Sequence, residues 1–180
     1  MVVGDTISGR IIHFQIFYHL CEFLSGRRTL GLAPGFGVAR LDIVPADYVA
    51  QAIAWSSTST ASTGWIIHTC SGPDLALPLE PLRDTVRRAF SAAGRRLPPV
   101  IDLPTGVFKA LLAGVSIFMP AETRRAIRTL PVFLDYLATE QSFANHRSQA
   151  LLAEAGLALP TPASYLDKVL GYYLANSKRR

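Results

Sequence analysis

Six tyrosines are the first side chains to test for chemistry. A lysine four residues after a helical tyrosine shares its helix face, and the ammonium would lower the phenol pKa for proton transfer. No tyrosine here has that partner. Position +4 is Glu22 after Tyr18, Ala52 after Tyr48, Glu140 after Tyr136, Val169 after Tyr165, Asn176 after Tyr172 and Ser177 after Tyr173. Tyr165 and Lys168 are three apart. Gly31-Leu-Ala-Pro-Gly35-Phe-Gly37 has the spacing of a pyrophosphate loop, but such a loop needs a strand before it and a helix N-terminus after it. Here Arg27-Arg28-Thr29-Leu30 precedes, strand-like residues 38–44 follow, and Pro34 removes an amide. The segment reads as a Gly/Pro loop.

Other catalytic sets are missing too. The sequence contains no HExxH and no GxSxG. His13 and His19 are six apart, which does not put them on one helix face, and His68 reads as a strand histidine without a ligand partner. Asp47 sits where a helix needs an N-cap, so its carboxylate is assigned to backbone amides. Cys21 and Cys70 have neither CxxC nor metal spacing; they read as buried free thiols in a reduced, cytoplasmic compartment.

With 180 residues, 49% of them hydrophobic, the chain is one domain by length or a piece of a larger one. The net charge is +5. Its arginine pairs (27–28, 87–88, 95–96, 124–125, 179–180) are spread along the chain, whereas a nucleic-acid binder would gather them on one element among aromatics. Some of them suit the phosphates of an anionic ligand such as a coenzyme A thioester. The opening residues lack the basic start of a signal peptide. No apolar run reaches the roughly 18–20 residues of a membrane span. Residues 107–119 come nearest but contain Lys109 and stop at Pro120.

The elements that would position any site follow from pattern. Residues 41–44 read as a strand ended by Pro45, followed by a helix whose apolar face is Tyr48, Val49, Ala52, Ile53 and Trp55. A small polar loop, 56–64, leads to a second strand, 66–70. Strand, helix and strand make a βαβ unit, which predicts that 41–44 and 66–70 lie parallel in one sheet. Residues 1–4 read as a short strand. The spacing of Phe17, Leu20, Cys21 and Leu24 predicts a helix within 11–24, stopped at Gly26. Residues 79–93 form an amphipathic helix with stripe Leu82, Val86, Ala89, Phe90 and Ala93, Pro81 in its first turn and Gly94 at its end. Residues 100–103 are a third short strand. Beyond Pro104 the pattern turns helical, at 105–118, 121–129, 132–137, 145–155 and 162–175. Asn145 is expected to cap the fourth of these and Gly156-Leu157 to close it; Thr161-Pro162 opens the last.

Three stretches resemble one family. Val44-Pro45-Ala46-Asp47-Tyr48-Val49-Ala50, after a strand and opening a helix, resembles the downstream part of extended short-chain dehydrogenase/reductases, closest to the acyl-thioester reductases (the male-sterility or fatty acyl-CoA reductase type). Val2-Val3-Gly4-Asp5-Thr6-Ile7-Ser8-Gly9 is similar to that family's Val-x-Gly-Asp-Ser-x-Thr-Gly segment, which follows a late strand of the nucleotide-binding sheet. Residues 143–173 are similar to its tail, with Phe143, a Leu-Leu helix, a glycine, prolines and a Tyr-Leu helix.

The resemblance implies an α/β fold, with a partial parallel Rossmann-like sheet of late strands followed by a mostly helical C-terminal substrate lobe. The expected division is 1–103 for the late part of an NAD(P)-binding domain and 104–180 for the lobe. It implies the C-terminal portion of an NAD(P)H-dependent reductase of acyl thioesters, linked to coenzyme A or a carrier protein, with Met1 internal to a longer product. The missing half would carry the cofactor loop and the Ser/Tyr/Lys set, so this chain alone is expected to be inactive, without a bound cofactor or metal. Tyr165 and Lys168 fall in the tail helix, away from the family's catalytic helix. By resemblance Val3 and Gly4 approach the cofactor. Asp5 approaches the substrate, and Phe17 and Tyr18 either line a substrate channel or pack in the core. Two alternatives stay open. One is a non-catalytic module binding an acyl chain or a protein through Phe108, Leu111, Leu112, Ile117, Phe118 and Met119. The other is a portion of another extended-family enzyme, a sugar-nucleotide epimerase or hydroxysteroid-type dehydrogenase.

Overall fold

A computed structural model describes residues 1–116 and 143–177. In chain order these form β1 (Val2–Val3), α1 (Ile16–Leu24), β2 (Leu32–Pro34), β3 (Arg40–Leu41), β4 (Val44–Pro45), α2 (Ala46–Thr58), α3 (Gly72–Leu75), β5 (Leu77–Pro78), α4 (Leu79–Ala92), β6 (Ile101–Leu103), α5 (Thr105–Ser116), α6 (His146–Glu154) and α7 (Pro162–Asn176). A 3-10 turn, Thr60–Ser62, follows α2. The fold is mixed α/β with short parallel strand pairs, as a partial Rossmann-like domain requires. The expected helices at 121–129 and 132–137, and residues 117–119, lie outside the described residues.

Among the described residues, strand pairing forms three two-stranded pieces. β1 runs parallel to β4, with Val2 opposite Val44 and Val3 opposite Pro45. Pro45 is the last ladder residue, which fits its lack of an N–H. β2 runs parallel to β6, Leu32–Pro34 facing Ile101–Leu103. The Gly31–Gly37 segment is therefore partly a strand rather than only a loop. Gly31 has φ +89°, and a Cβ there would stand 2.0 Å from the Pro99 carbonyl oxygen, so only glycine lets β2 start so close to the chain entering β6. β3 and β5 form an antiparallel pair that the sequence pattern did not signal.

The expected strand at 66–70 is not one, and the βαβ unit built on it is absent. The segment has no ladder partner among the described residues. Its backbone is held by side chains of the α6 region instead: the His68 amide donates to Ser148 Oγ at 3.0 Å, and Asn145 Nδ2 donates to the Cys70 carbonyl at 2.6 Å. Asn145 therefore stands at the N-cap position of α6 without capping it. Ile66 is 82% exposed.

The main core lies between α1, α4 and α7. Phe17, Leu20, Cys21 and Leu24 of α1 meet Leu82, Val86 and Phe90 of α4 and Val169, Leu170 and Tyr173 of α7. Val3, Leu41, Ile43 and Phe108 of α5 join the same cluster. Helix ends follow the sequence signals. After α4, Gly94 has φ +73°, its amide donates to the Ser91 carbonyl, and the Arg95 amide donates to the Phe90 carbonyl. After α6, Gly156 and Leu157 repeat this with Ala153 and Leu152. Both are Schellman ends. α1 starts at Ile16, and Phe14 before it packs edge-on against Tyr18 and Tyr173. α2 has a narrower buried face than expected: Tyr48 and Ala52 pack on Leu152 in a second, smaller cluster, while Ile53 points outward.

Phe90 is fully buried and its ring lies 6.4 Å from that of Tyr173. Truncation to alanine would open a cavity where three helices meet. Phe90→Ala is expected to lower unfolding free energy by about 3–5 kcal/mol, read from urea denaturation of the pure protein.

Candidate functional site

The residues singled out by sequence gather where β1 ends. Beyond Val3, which is buried, the chain must turn sharply, and Gly4 makes this possible. A Cβ on Gly4 would sit 2.4 Å from the Gly9 carbonyl oxygen. The intervening turn folds around the Asp5 carboxylate. Oδ1 accepts from the Ile7 amide at 2.9 Å and the Ser8 amide at 2.6 Å. Oδ2 accepts from Ser8 Oγ at 2.7 Å and the Arg10 amide at 3.0 Å. Burial alone would raise the Asp5 pKa, but the bonds from Ser8, Ile7 and Arg10 outweigh it and hold the carboxyl below its ordinary value. Asp5 is thus committed to its own loop.

Tyr18 reaches this turn from α1. Its hydroxyl oxygen accepts the buried Gly4 amide at 3.2 Å. Its ring stacks on Tyr173 at 5.1 Å and meets Phe17 edge-on at 5.2 Å. Burial pushes the Tyr18 phenol well above its ordinary pKa, with the Gly4 bond pulling slightly the other way, so the group stays neutral. Such a phenol orients a backbone; it is not poised for proton transfer near pH 7. Phe17 is fully buried in the main core.

A second set of contacts, not foreseen from sequence, locks the turn to distant elements. Asp47 does not cap α2, which begins at Ala46 with Pro45 at the N-cap. Its Oδ2 accepts instead from the Thr6 amide at 3.1 Å and from Thr6 Oγ1. Lys168 Nζ donates to the Thr6 carbonyl at 2.9 Å. Tyr165 Oη donates to the Ile43 carbonyl at 3.3 Å, and burial, with Asp42 and Asp47 nearby, raises its pKa. The Tyr165–Lys168 pair is therefore a structural clasp between α7 and the strand ends. The only local signals were Asp47 and Thr6 themselves, since nothing in the sequence says that residues 6 and 168 meet.

Among the described residues no group of three histidine, cysteine, aspartate or glutamate side chains is placed to hold a metal ion. No helix among them is long and apolar enough to cross a membrane. His68 is exposed, and Cys70 lies with Sγ 3.7 Å from the Phe143 carbonyl oxygen.

No family model and no curated protein matches the chain in sequence. Solved structures do match. One is the terminal R domain from the myxalamid PKS-NRPS biosynthetic pathway, with TM-score 0.65 and 18% identity, covering 98% of this chain and 43% of that chain. Another is the reductase (R) domain of a nonribosomal peptide synthetase from Mycobacterium tuberculosis, with TM-score 0.57 and 20% identity, covering 98% of this chain and 45% of that chain. The chain thus has the fold of part of a reductase domain, and it spans less than half the length of those it matches.

Two outcomes test this site. Tyr18→Phe removes one oxygen and leaves the buried Gly4 amide without an acceptor, so a loss of about 1–3 kcal/mol is expected in denaturant unfolding, with the secondary structure unchanged by circular dichroism. Asp5 has a folded pKa below its unfolded value of 3.8. Its contribution is therefore complete above that value and disappears as pH falls through the folded pKa. The stability gap between wild type and Asp5→Asn should be largest near neutral pH and close in strong acid, measured by unfolding across that range.

Proposed function

We propose that this chain forms the C-terminal, acyl-substrate portion of an NAD(P)H-dependent thioester reductase of the extended short-chain dehydrogenase/reductase type. Near-complete coverage of the chain on less than half of two reductase domains carries the reading. The order of the three sequence stretches supports the same assignment. In this reading 1–103 supplies late strands of the nucleotide-binding sheet and 104–180 the substrate lobe. The complete enzyme would bind NADP(H) and deliver hydride to the carbonyl of an acyl thioester, with the thiol of coenzyme A or a carrier protein leaving. No tyrosine in the chain has a lysine four residues on, so the proton donor and the cofactor loop would come from the remainder of the enzyme.

The β1 turn would then serve as the wall between cofactor and substrate. Val3 and Gly4 would face the nicotinamide and Asp5 the substrate, while Tyr18, with Phe17 behind it, would fix the turn from the core side. The neutral Tyr18 and the internally satisfied Asp5 suit positioning rather than proton transfer.

The test joins this chain to the cofactor-bearing part of a reductase domain and follows NADPH oxidation with a series of acyl-coenzyme A thioesters. Hydride transfer that needs both parts is expected, and Gly4→Ala in this chain should lower it at least tenfold. A joined protein that folds, binds NADPH and yet reduces no thioester would overturn the substrate assignment.

A further inference from the structure

A cleft of about 620 Å³ lies at the C-terminal end of α4. It is lined by Arg87, Arg88, Arg95 and Arg96, with Ser91 and Gly94. The Schellman turn at Gly94 creates it, because the chain reverses there and brings residues 95–96 back beside the last turn of α4.

Four arginines line this one cleft, and like charges on one surface repel unless anions compensate them. Within the described residues, the carboxylate ion pairs of arginine go elsewhere: Arg27 with Glu22 at 3.7 Å and Arg83 with Asp102 at 2.6 Å. Among the described residues, the hydrogen bonds of Arg87, Arg88 and Arg95 go to neutral groups. Arg87 is fixed by the Ser25 carbonyl at 2.7 Å and the Pro98 carbonyl at 2.8 Å. Arg88 donates to Thr85 Oγ1 at 3.1 Å, and Arg95 reaches Ser177 Oγ at 3.5 Å. One carboxylate, Asp167, lines an adjoining groove that shares Arg95, but none lines the cleft itself. Basic residues near a helix C-terminus are ordinarily explained by the helix dipole, which offers about half a negative charge. Four positive charges exceed that severalfold. Each guanidinium has five N–H donors in a planar fork suited to phosphate oxygens, and most of those donors are unused here.

We propose that this cleft binds a small ligand carrying two or more linked phosphate groups. Arg87, held by two carbonyls, is the preset member, and Arg88 and Arg96, both exposed, close on the ligand. The inference does not rest on the reductase reading, since it uses none of the residues at the β1 turn.

The probe is inorganic pyrophosphate, titrated calorimetrically into the full chain at constant ionic strength, with sulfate as a control. Saturable one-to-one binding tighter than that of sulfate is expected. Arg88→Ala with Arg96→Ala should weaken it at least tenfold while the thermal midpoint is unchanged. Coenzyme A and ADP are run in parallel. Binding of either through the same arginines supports the proposal with a nucleotide as the source, and binding of pyrophosphate alone supports it with an inorganic one. Absence of saturable binding, or equal binding by the double variant, overturns it. So would a poly-glutamate peptide that binds through these arginines when pyrophosphate does not, which would make the cleft a protein-docking surface.

Discussion

The close approach of the β1 turn to α7 is the constraint on which the rest of the molecule depends. Gly9 has φ +71°, and a Cβ there would stand 2.2 Å from the Lys168 carbonyl oxygen. Two backbones 159 positions apart in sequence therefore touch, and no side chain fits between them. Once they touch, Lys168 can reach the Thr6 carbonyl, Asp47 can take the Thr6 donors, and Tyr165 can reach Ile43. The ends of β1 and β4, the start of α2 and the face of α7 are thereby fixed together by one small turn. Entropy explains why a turn this short needs so many bonds: ordering each residue costs about 1–2 kcal/mol, and a polar loop buries little apolar surface to offset it.

That turn would be of little use without the core beneath it. Tyr18 links the two, its ring among Phe14, Phe17 and Tyr173 and its hydroxyl on the Gly4 amide. A phenylalanine would pack as well but would leave a buried donor unpaired. A serine would satisfy the donor but leave a cavity. Tyrosine is the side chain that does both at this distance. The same logic applies to Tyr173, whose hydroxyl bonds Glu22 Oε1 at 3.0 Å while its ring closes the core.

What could be read in advance was what local chemistry decides. Gly94 and Gly156 end their helices because only glycine easily takes the left-handed conformation there, and that signal needs no knowledge of the fold. Pro162 opens α7 for a similarly local reason. The stripe of α4 was legible because amphipathic spacing survives any partner. Asp47 and Asn145 depart from that local logic for the complementary reason. Each stands at a helix start where a cap is the local optimum, but tertiary structure offered a better acceptor or donor, Thr6 in one case and the Cys70 carbonyl in the other. Of the candidate site residues, Val3, Gly4, Asp5 and Tyr18 do meet, yet the Thr6, Asp47 and Lys168 clasp was invisible because its members are far apart in sequence.

The segment 65–70 shows the same dependence on distant partners most sharply. A strand is a statement about a partner, not about a sequence: Trp-Ile-Ile-His-Thr-Cys has the composition of a strand but no ladder among the described residues. Parallel pairs two strands wide are marginal units, since parallel sheets are stable when several strands are covered on both faces. Among the described residues β1–β4 and β2–β6 each stand two strands wide, with Val2 and Ile101 exposed. Apolar strand residues left in water beside unpaired backbone are the features that a further strand would satisfy. They fit the proposal that this chain supplies one part of a wider sheet. On that proposal, residues 65–70 would find a ladder partner in the remainder of the sheet.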